Sequence, residues 1–502
     1  MGLDIGTTGA RGLLVSPTGE VLARAAVPYP LLTPRPGWSE QDPEDWWDAS
    51  CQVLRALAAA ARQSSRRMVA LGLTGQMHGA VFLDAQGEVI RPALLWNDQR
   101  TAAECQEIEE RVGADRLRAI AGNPALTGFQ APKILWLRRH EPEAYRRVRY
   151  ILLPKDFLRY RLSGVLATDA SDAAGTLLLA LRERDWSAEI LQALDLPLSW
   201  FPRVYEGPEV TGEVSREGSL ASGLPAGLPI MAGGGDNAAA AVGSGVVREG
   251  SALVSLGTSG VVFAHSDTLK IDPSGALHAF CHAVPGKYHL MGVVLSAGGS
   301  LRWYRDTLGS EEEAVAGRTG QDPYHLLLEE AARVSPGAEG LYFLPYLAGE
   351  RTPHMDPQAR GAWIGLSLAH RREHLVRALL EGVGFALKDS LVRIQGLGVN
   401  PRVLQAVGGG VQSPVWRKIL AAILGLPLQR LAVEEGPAFG AALLAGVGVG
   451  LYPDVETAVT RAVHPLGEVE KPDLALKEVY ERLYARYTRL YPALQRSGVW
   501  QE

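Results

Sequence analysis

The chain has 502 residues, 47% of them hydrophobic and 21% charged, a soluble composition with enough apolar surface for two cores. Fifty Lys and Arg against 55 Asp and Glu leave a net charge of −5, with no like-charge block long enough for a basic arm or an acidic tail, which argues against nucleic acid as a partner. Three scattered cysteines, Cys51, Cys105 and Cys281, suit a reducing cytoplasm, and no apolar run has the length of an export signal or a membrane span, so no membrane association is expected.

In chain order, Leu3 to Val15 predicts a strand, a tight turn rich in Gly and Thr, and a second strand: a β-hairpin with a polar tip. Pro43 to Arg62 predicts a helix, with Glu44 and Asp45 in its first turn and Trp47, Cys51, Leu54, Leu57 and Ala58 at helical spacing. Short strands at 69–73, 81–83 and 93–96 follow. The basic residues from Arg138 to Arg149 are interleaved with Glu141 and Glu143 and read as a solvated helix face.

Gly233-Gly234-Gly235-Asp236-Asn237, followed by a small-residue helix and Gly243-Ser244-Gly245, marks either a hinge or a place where backbone meets ligand. It divides the chain into a first domain, 1–243, and a second, 244–502. Residues 252–263 then repeat the opening hairpin around a Gly257-Thr258-Ser259-Gly260 turn, half a chain length after the first, which suggests two domains of like fold. His278, Cys281 and His282 have loose metal-ligand spacing, but the segment reads as a strand with His278, Phe280 and His282 on one side. Strands at 341–344 and 403–407 and helices at 373–395 and 413–424 continue the alternation, so the fold class is α/β in layers.

Four Gly-rich turns follow apolar strands: Asp4 to Gly9, Gly233 to Asp236, Gly257 to Gly260, and Gly408 to Gly410. Such turns expose several backbone N–H groups at once and favour phosphate. Neither a GxxxxGK[ST] segment nor a strand-linked GxGxxG is present, so a nucleotide cleft of another kind is required. Phosphoryl transfer needs a cation on the phosphates and a carboxylate to accept the attacking hydroxyl's proton. Asp4 and Asp236 are the candidates. Turn capping accounts for Asp4 as well as metal binding does; it accounts less well for Asp236, beside which Asn237 offers a second sugar-facing group. In the turn Thr74 to Gly79, Gln76 and His78 are placed to hydrogen-bond a polyol and Met77 to wall it. Trp96 and Asp98 end a nearby strand and offer an aromatic face and a polar side chain. His78 is the competing general base.

Asp4 to Thr8, Gly75 to Gly79, Leu95 to Asp98, Leu153-Pro154-Lys155-Asp156, Gly233 to Asn237, Ser255 to Gly260 and Gly408 to Gly410, taken in order, resemble the FGGY carbohydrate kinases over essentially the whole chain. The family's longer signature is recognisable from Gly361 to Glu381, and its other from Gly128 to His140, where Gln130 replaces a usual small residue with little functional effect expected. The resemblance implies two actin-like, ribonuclease-H-like domains around a central cleft, with sugar mainly on the first and ATP mainly on the second. It implies Asp236 as catalytic base, Met77, His78 and Asn237 as sugar contacts, and Asp4, with Asp236, as the anchor for Mg²⁺. Thr7, Thr8 and Arg11 would face the phosphates, and Gly257, Thr258, Gly409, Gly410, Ser413 and Trp303 would hold the nucleotide. The lack of an Arg-Glu pair at the 76–78 turn disfavours glycerol, so D-xylulose leads, with another ketose or polyol of the family second. A homodimer is compatible with the sequence. The alternative of a different class is an Hsp70-like or actin-like nucleotide-driven binding protein, for which the chain has a sugar turn too many and no spare peptide domain.

Overall fold

The first strand of the chain is almost entirely apolar or glycine, and it sits at the centre of a sheet. In the computed structural model, which describes residues 1–500, β1 (Gly2–Ile5), β2 (Gly9–Val15) and β3 (Val21–Pro28) form an antiparallel meander. After α1 (Pro43–Gln63), β4 (Gly72–Gly75) pairs parallel to β1, and the two-residue β5 (Gly234–Gly235) pairs parallel to β4, giving the order β5-β4-β1-β2-β3. Helix α1 starts where expected because Asp42 caps it, accepting from the Glu44 N–H, and Pro43 fits the first turn. It lays Val53 and Leu57 against β2, where Gly12 leaves room for them.

Between β4 and β5 the chain forms, among other elements, α2 (Gln130–His140) and α3 (Pro154–Ser163). Helix α4 (Asp236–Gly243) then leads into the second sheet. Its strands are β6 (Ser251–Leu256), β7 (Gly260–Ser266), β8 (His278–Cys281), β9 (Tyr288–Val294), β10 (Val403–Val407), β11 (Leu428–Leu431) and β12 (Pro465–Glu470), in the order β8-β9-β7-β6-β10-β11-β12. Without its outermost strands, the order β9-β7-β6-β10-β11 repeats β3-β2-β1-β4-β5 with the same parallel and antiparallel senses. The recurring hairpin is therefore the opening of a duplicated unit, and the architecture is two actin-like, ribonuclease-H-like halves. The second half also contributes α5 (Gly298–Leu308), α6 (Arg372–Gly396), α7 (Pro414–Leu424) and α8 (Gly436–Gly448).

Each fifth strand feeds a helix, β5 into α4 and β11 into α8, and these two helices cross backbone to backbone. A Cβ built on Gly440 would lie 1.8 Å from the Ala239 carbonyl oxygen. The other side of α8 lies on the first sheet: a Cβ on Gly2 would reach 1.8 Å from Ala438 O, and one on Gly72 1.9 Å from Ala441 O. This contact explains a shift in β4, expected at 69–73 and found at 72–75. Gly72 weakens the strand signal because a helix backbone takes the space of its side chain. No helix among the described residues is long and apolar enough to cross a membrane.

Candidate active site

Because β1, β4 and β5 run parallel, their C-terminal ends open at one edge, where they deliver Asp4, the turn after Gly75, and Asp236. Asp236 begins α4. Its Oδ1 accepts from the Asn237 N–H at 2.7 Å and from Asn237 Nδ2 at 3.0 Å, which fixes the carboxylate and leaves Oδ2 unengaged among the described residues. Burial pushes its pKa up to about 6, with the two Asn237 hydrogen bonds pulling the other way. The backbone beneath it is clamped by buried ions. Arg159 donates to Met231 O and Ala232 O, both at 2.6 Å, and Ser171 Oγ accepts the Gly235 N–H at 3.1 Å while donating to Asp169. Lys155 ties Asp156 and Asp169 together at 2.6 and 2.9 Å.

Asp236 and Asn237 line a cavity of about 230 Å³ at the cleft, together with Thr7, Met77, His78 and Trp96 from the first half and Ser259, His278, Phe280 and Arg351 from the second. His78 takes a left-handed backbone conformation, φ 69°, that turns its ring inward. Its Nδ1 lies 2.6 Å from Gly175 O; a carbonyl only accepts, so Nδ1 carries the proton and Nε2 presents a lone pair. Burial lowers the imidazole pKa to about 3, so the ring is neutral. Lys133 donates to His78 O and Gly128 O at 2.8 and 2.6 Å, and Gln130 donates to Gly79 O and Leu152 O at 2.9 and 3.1 Å. The departure at Gln130 thus holds the turn that carries His78. Trp96 is fixed by donation from its indole N–H to Thr7 Oγ1 at 3.0 Å.

Two expected sugar contacts stand elsewhere. Gln76 is buried, its amide spent on Gln41 at 2.8 Å, and serves as support beneath Thr7 rather than as part of the lining. Asp98 is fully buried, its carboxylate occupied by the Arg100 guanidinium and the Ser39 N–H, both at 2.7 Å, and does not face the cavity. Asp4 lines neither cavity; it is buried in β1, with Arg11 directly across the strand pair. Its Oδ1 is buried without a hydrogen-bond partner, and burial together with the Asp236 charge pushes its pKa up to about 8.

A larger cavity of about 930 Å³ opens in the second half. Gly257, Thr258, Gly409, Gly410 and Ser413 all line it, as do Arg302, Tyr324, His325 and Trp416. Its floor follows from local chemistry. The N–H groups of Gly298 and Gly299 at the start of α5 bond back to Gly257 O and Thr258 O at 2.8 and 2.9 Å, locking the hairpin turn to the helix. Ser413 caps α7, accepting the Trp416 N–H at 3.3 Å. Trp303 is a correction: residues 298, 301, 302 and 305 face the cavity at helical spacing, whereas Trp303 lies off that stripe and stacks on Trp363, ring centroids 5.8 Å apart. Thr8 and Arg11 are exposed and line neither cavity. The two cavities meet at one turn, where Gly257 and Thr258 face the larger and Ser259 the smaller.

Comparison with known proteins follows the same division. Residues 1–243 match the N-terminal domain of the FGGY family of carbohydrate kinases, and residues 252–449 match its C-terminal domain. The chain is 44% identical over 495 residues to a xylulose kinase of Escherichia coli (strain K12), covering 98% of this chain and 99% of that protein. It is 42% identical to a xylulose kinase of Klebsiella pneumoniae, covering 97% and 98%. The crystal structure of xylulose kinase from Rhodospirillum rubrum superposes with a TM-score of 0.91 at 34% identity, covering 99% of this chain and 98% of that one. With both family domains matched in order over most of its length, the chain belongs to the FGGY family of carbohydrate kinases.

Proposed function

We propose that this sugar kinase transfers the γ-phosphoryl group of ATP to the 5-hydroxyl of D-xylulose, giving D-xylulose 5-phosphate and ADP. The observation that carries the reading is the junction of the two cavities at the Gly257–Ser259 turn, with the free Oδ2 of Asp236 in the smaller one. Relatives named xylulose kinase along the full chain supply the sugar. In this reading the division at 243/244 separates a sugar-binding half from an ATP-binding half.

Asp236 acts as general base. Held by Asn237, it accepts the proton of the sugar's terminal hydroxyl as that oxygen attacks the γ-phosphorus. The Nε2 of His78 accepts from another hydroxyl, Met77 and Phe129 wall the carbon chain, and Trp96 covers it. Thr258 and the glycines at 257, 409 and 410 let the nucleotide approach the backbone closely.

The residues present fit Mg²⁺ as it accompanies ATP. Asp4 offers a buried, unpartnered carboxylate oxygen next to a second carboxylate, and no cluster of three ligating side chains exists among the described residues. That is the donor set for an ion that keeps its waters and takes phosphate oxygens, not for a closed protein cage. When bound, Mg²⁺ neutralises charge on the β- and γ-phosphates. Asp4, with Asp236, would hold it. The test is to incubate the enzyme with ATP, Mg²⁺ and D-xylulose and locate the phosphate by ³¹P–¹H correlation; phosphate on any oxygen other than O5 contradicts the proposal.

A further inference from the structure

The small cavity contains two polar groups from the second half that nothing in its own structure satisfies. Arg351 is the only cationic side chain among its lining residues, and no hydrogen bond or ion pair to its guanidinium is found among the described residues. The neighbouring carboxyl does not pair with it: Glu350 Oε1 accepts from the Leu295 and Arg351 backbone N–H groups at 3.1 and 2.7 Å. Arg351 is not placed by a loose loop. On its other side, the Thr352 N–H donates to Val293 O at 3.0 Å, and Thr352 Oγ1 takes the Val293 N–H at 3.0 Å while donating to Ala276 O at 2.7 Å. Both flanks of Arg351 are thus sewn to the end of β9. The Arg351 side chain is only partly buried, so the guanidinium keeps donors free for a ligand that supplies acceptor oxygens.

His278 presents the opposite character. Asn123 Nδ2 donates to Ala121 O and Ala279 O at 3.1 and 2.8 Å, which orients its amide so that Oδ1 points at His278 Nδ1, 2.8 Å away. An amide oxygen accepts only, so Nδ1 carries the proton, and Nε2 is a buried lone pair with no partner. His78 offers the same kind of lone pair from the first half. Donors without acceptor capacity and acceptors without donor capacity therefore face one space.

We propose that Arg351 and His278 complete the sugar site from the second half, the guanidinium donating to oxygens of the bound sugar and His278 Nε2 accepting from one of its hydroxyls. This rests on reading the small cavity as the sugar pocket. It specifies the ligand further. The imidazole lone pairs accept from hydroxyls and the guanidinium donates to an oxygen, so the site matches a polyhydroxyl chain with an oxygen for Arg351, as in an open-chain ketose.

The test uses the full-length enzyme with Arg351→Met, Arg351→Lys and His278→Asn, the last keeping a donor toward Asn123 while removing Nε2. Steady-state ADP release is measured against D-xylulose and against ATP, and sugar binding by calorimetry. Arg351→Met is expected to raise KM for the sugar on the order of ten- to a hundredfold, with Arg351→Lys in between and His278→Asn about tenfold, while KM for ATP stays unchanged. A sugar KM within about twofold of the unaltered enzyme in both Arg351→Met and His278→Asn, or a parallel rise in KM for ATP, overturns the inference. Nucleotide binding by each variant certifies its fold, and should Arg351→Met fail to bind nucleotide, His278→Asn decides alone. If the unaltered enzyme binds no ketose, the functional reading falls; if it does and the variants bind equally well, only this inference falls.

Discussion

Replacing Asp236 by Asn tests the chemistry at the residue on which the reading turns. The amide oxygen can still accept from the Asn237 N–H, now at 2.7 Å, so the loop keeps its shape while the base is lost. General-base catalysis contributes about 10²- to 10⁴-fold, or roughly 3–5 kcal/mol of transition-state stabilisation. Turnover should fall by that factor in coupled ADP release, with nucleotide affinity by calorimetry nearly unchanged, since Asp236 lines the small cavity and not the large one. The same substitution has a stability signature. Asp236 is held at about 6 in the folded chain, above its ordinary 3.8, so the folded state binds its proton more tightly than the unfolded state does. Stability from that proton is present below about pH 4 and is lost as pH rises through 6, a cost on the order of 1–3 kcal/mol at pH 8. Asp236→Asn should therefore melt above the unaltered enzyme at pH 8 and level with it near pH 4. In the unaltered enzyme, kcat/KM should fall about tenfold per pH unit below about 6 as the base is protonated. Retention of more than a few per cent of turnover, or loss of ATP binding in step with activity, would refute the assignment.

Other perturbations reach different parts of the molecule. His78→Ala removes a hydroxyl acceptor and should raise KM for the sugar with little change in KM for ATP; an unchanged sugar KM takes His78 out of the pocket. Asp4→Asn should raise the Mg²⁺ concentration for half-maximal rate by about 10- to 100-fold, read by titrating Mg²⁺ at fixed ATP, and an unaltered Mg²⁺ dependence contradicts its role. Gly440→Ala forces a methyl group to 1.8 Å from a main-chain oxygen that no rotamer change can move aside. It should destabilise the fold by about 1–3 kcal/mol or more and lower the thermal midpoint, and an unchanged midpoint would show that α4 and α8 do not cross as described.

The parts of the candidate site that were legible in the sequence are those carried on turns directly after apolar strands. Asp236, Asn237, Met77, His78 and Thr7 belong to that class, and so do Gly257, Thr258, Gly409 and Gly410: strand ends and glycines mark such turns in one dimension. Asp98 misled because a carboxylate at a strand end resembles a ligand, yet Arg100 two residues on claims it, a local signal that was there to be read. Trp303 came only from the family resemblance, and helical spacing from Gly298 puts Arg302 and Arg305 on the cavity instead. His278 was legible as one face of a strand, but which face meets the cleft depends on how β8 closes the second sheet. Arg351 carried no local signal at all: its place follows from side-chain and backbone bonds to β9, nearly sixty residues earlier. Gly72 in β4 and Gly440 in α8 likewise disclose their purpose only once the two halves pack together.

The most direct test of the central claim is ADP release across a panel of ketoses, polyols and sugar acids with ATP and Mg²⁺ held saturating. The account predicts D-xylulose to give the highest kcat/KM, with glycerol and gluconate far below. A panel in which no ketose accelerates ADP release, or in which glycerol or gluconate leads, would contradict it.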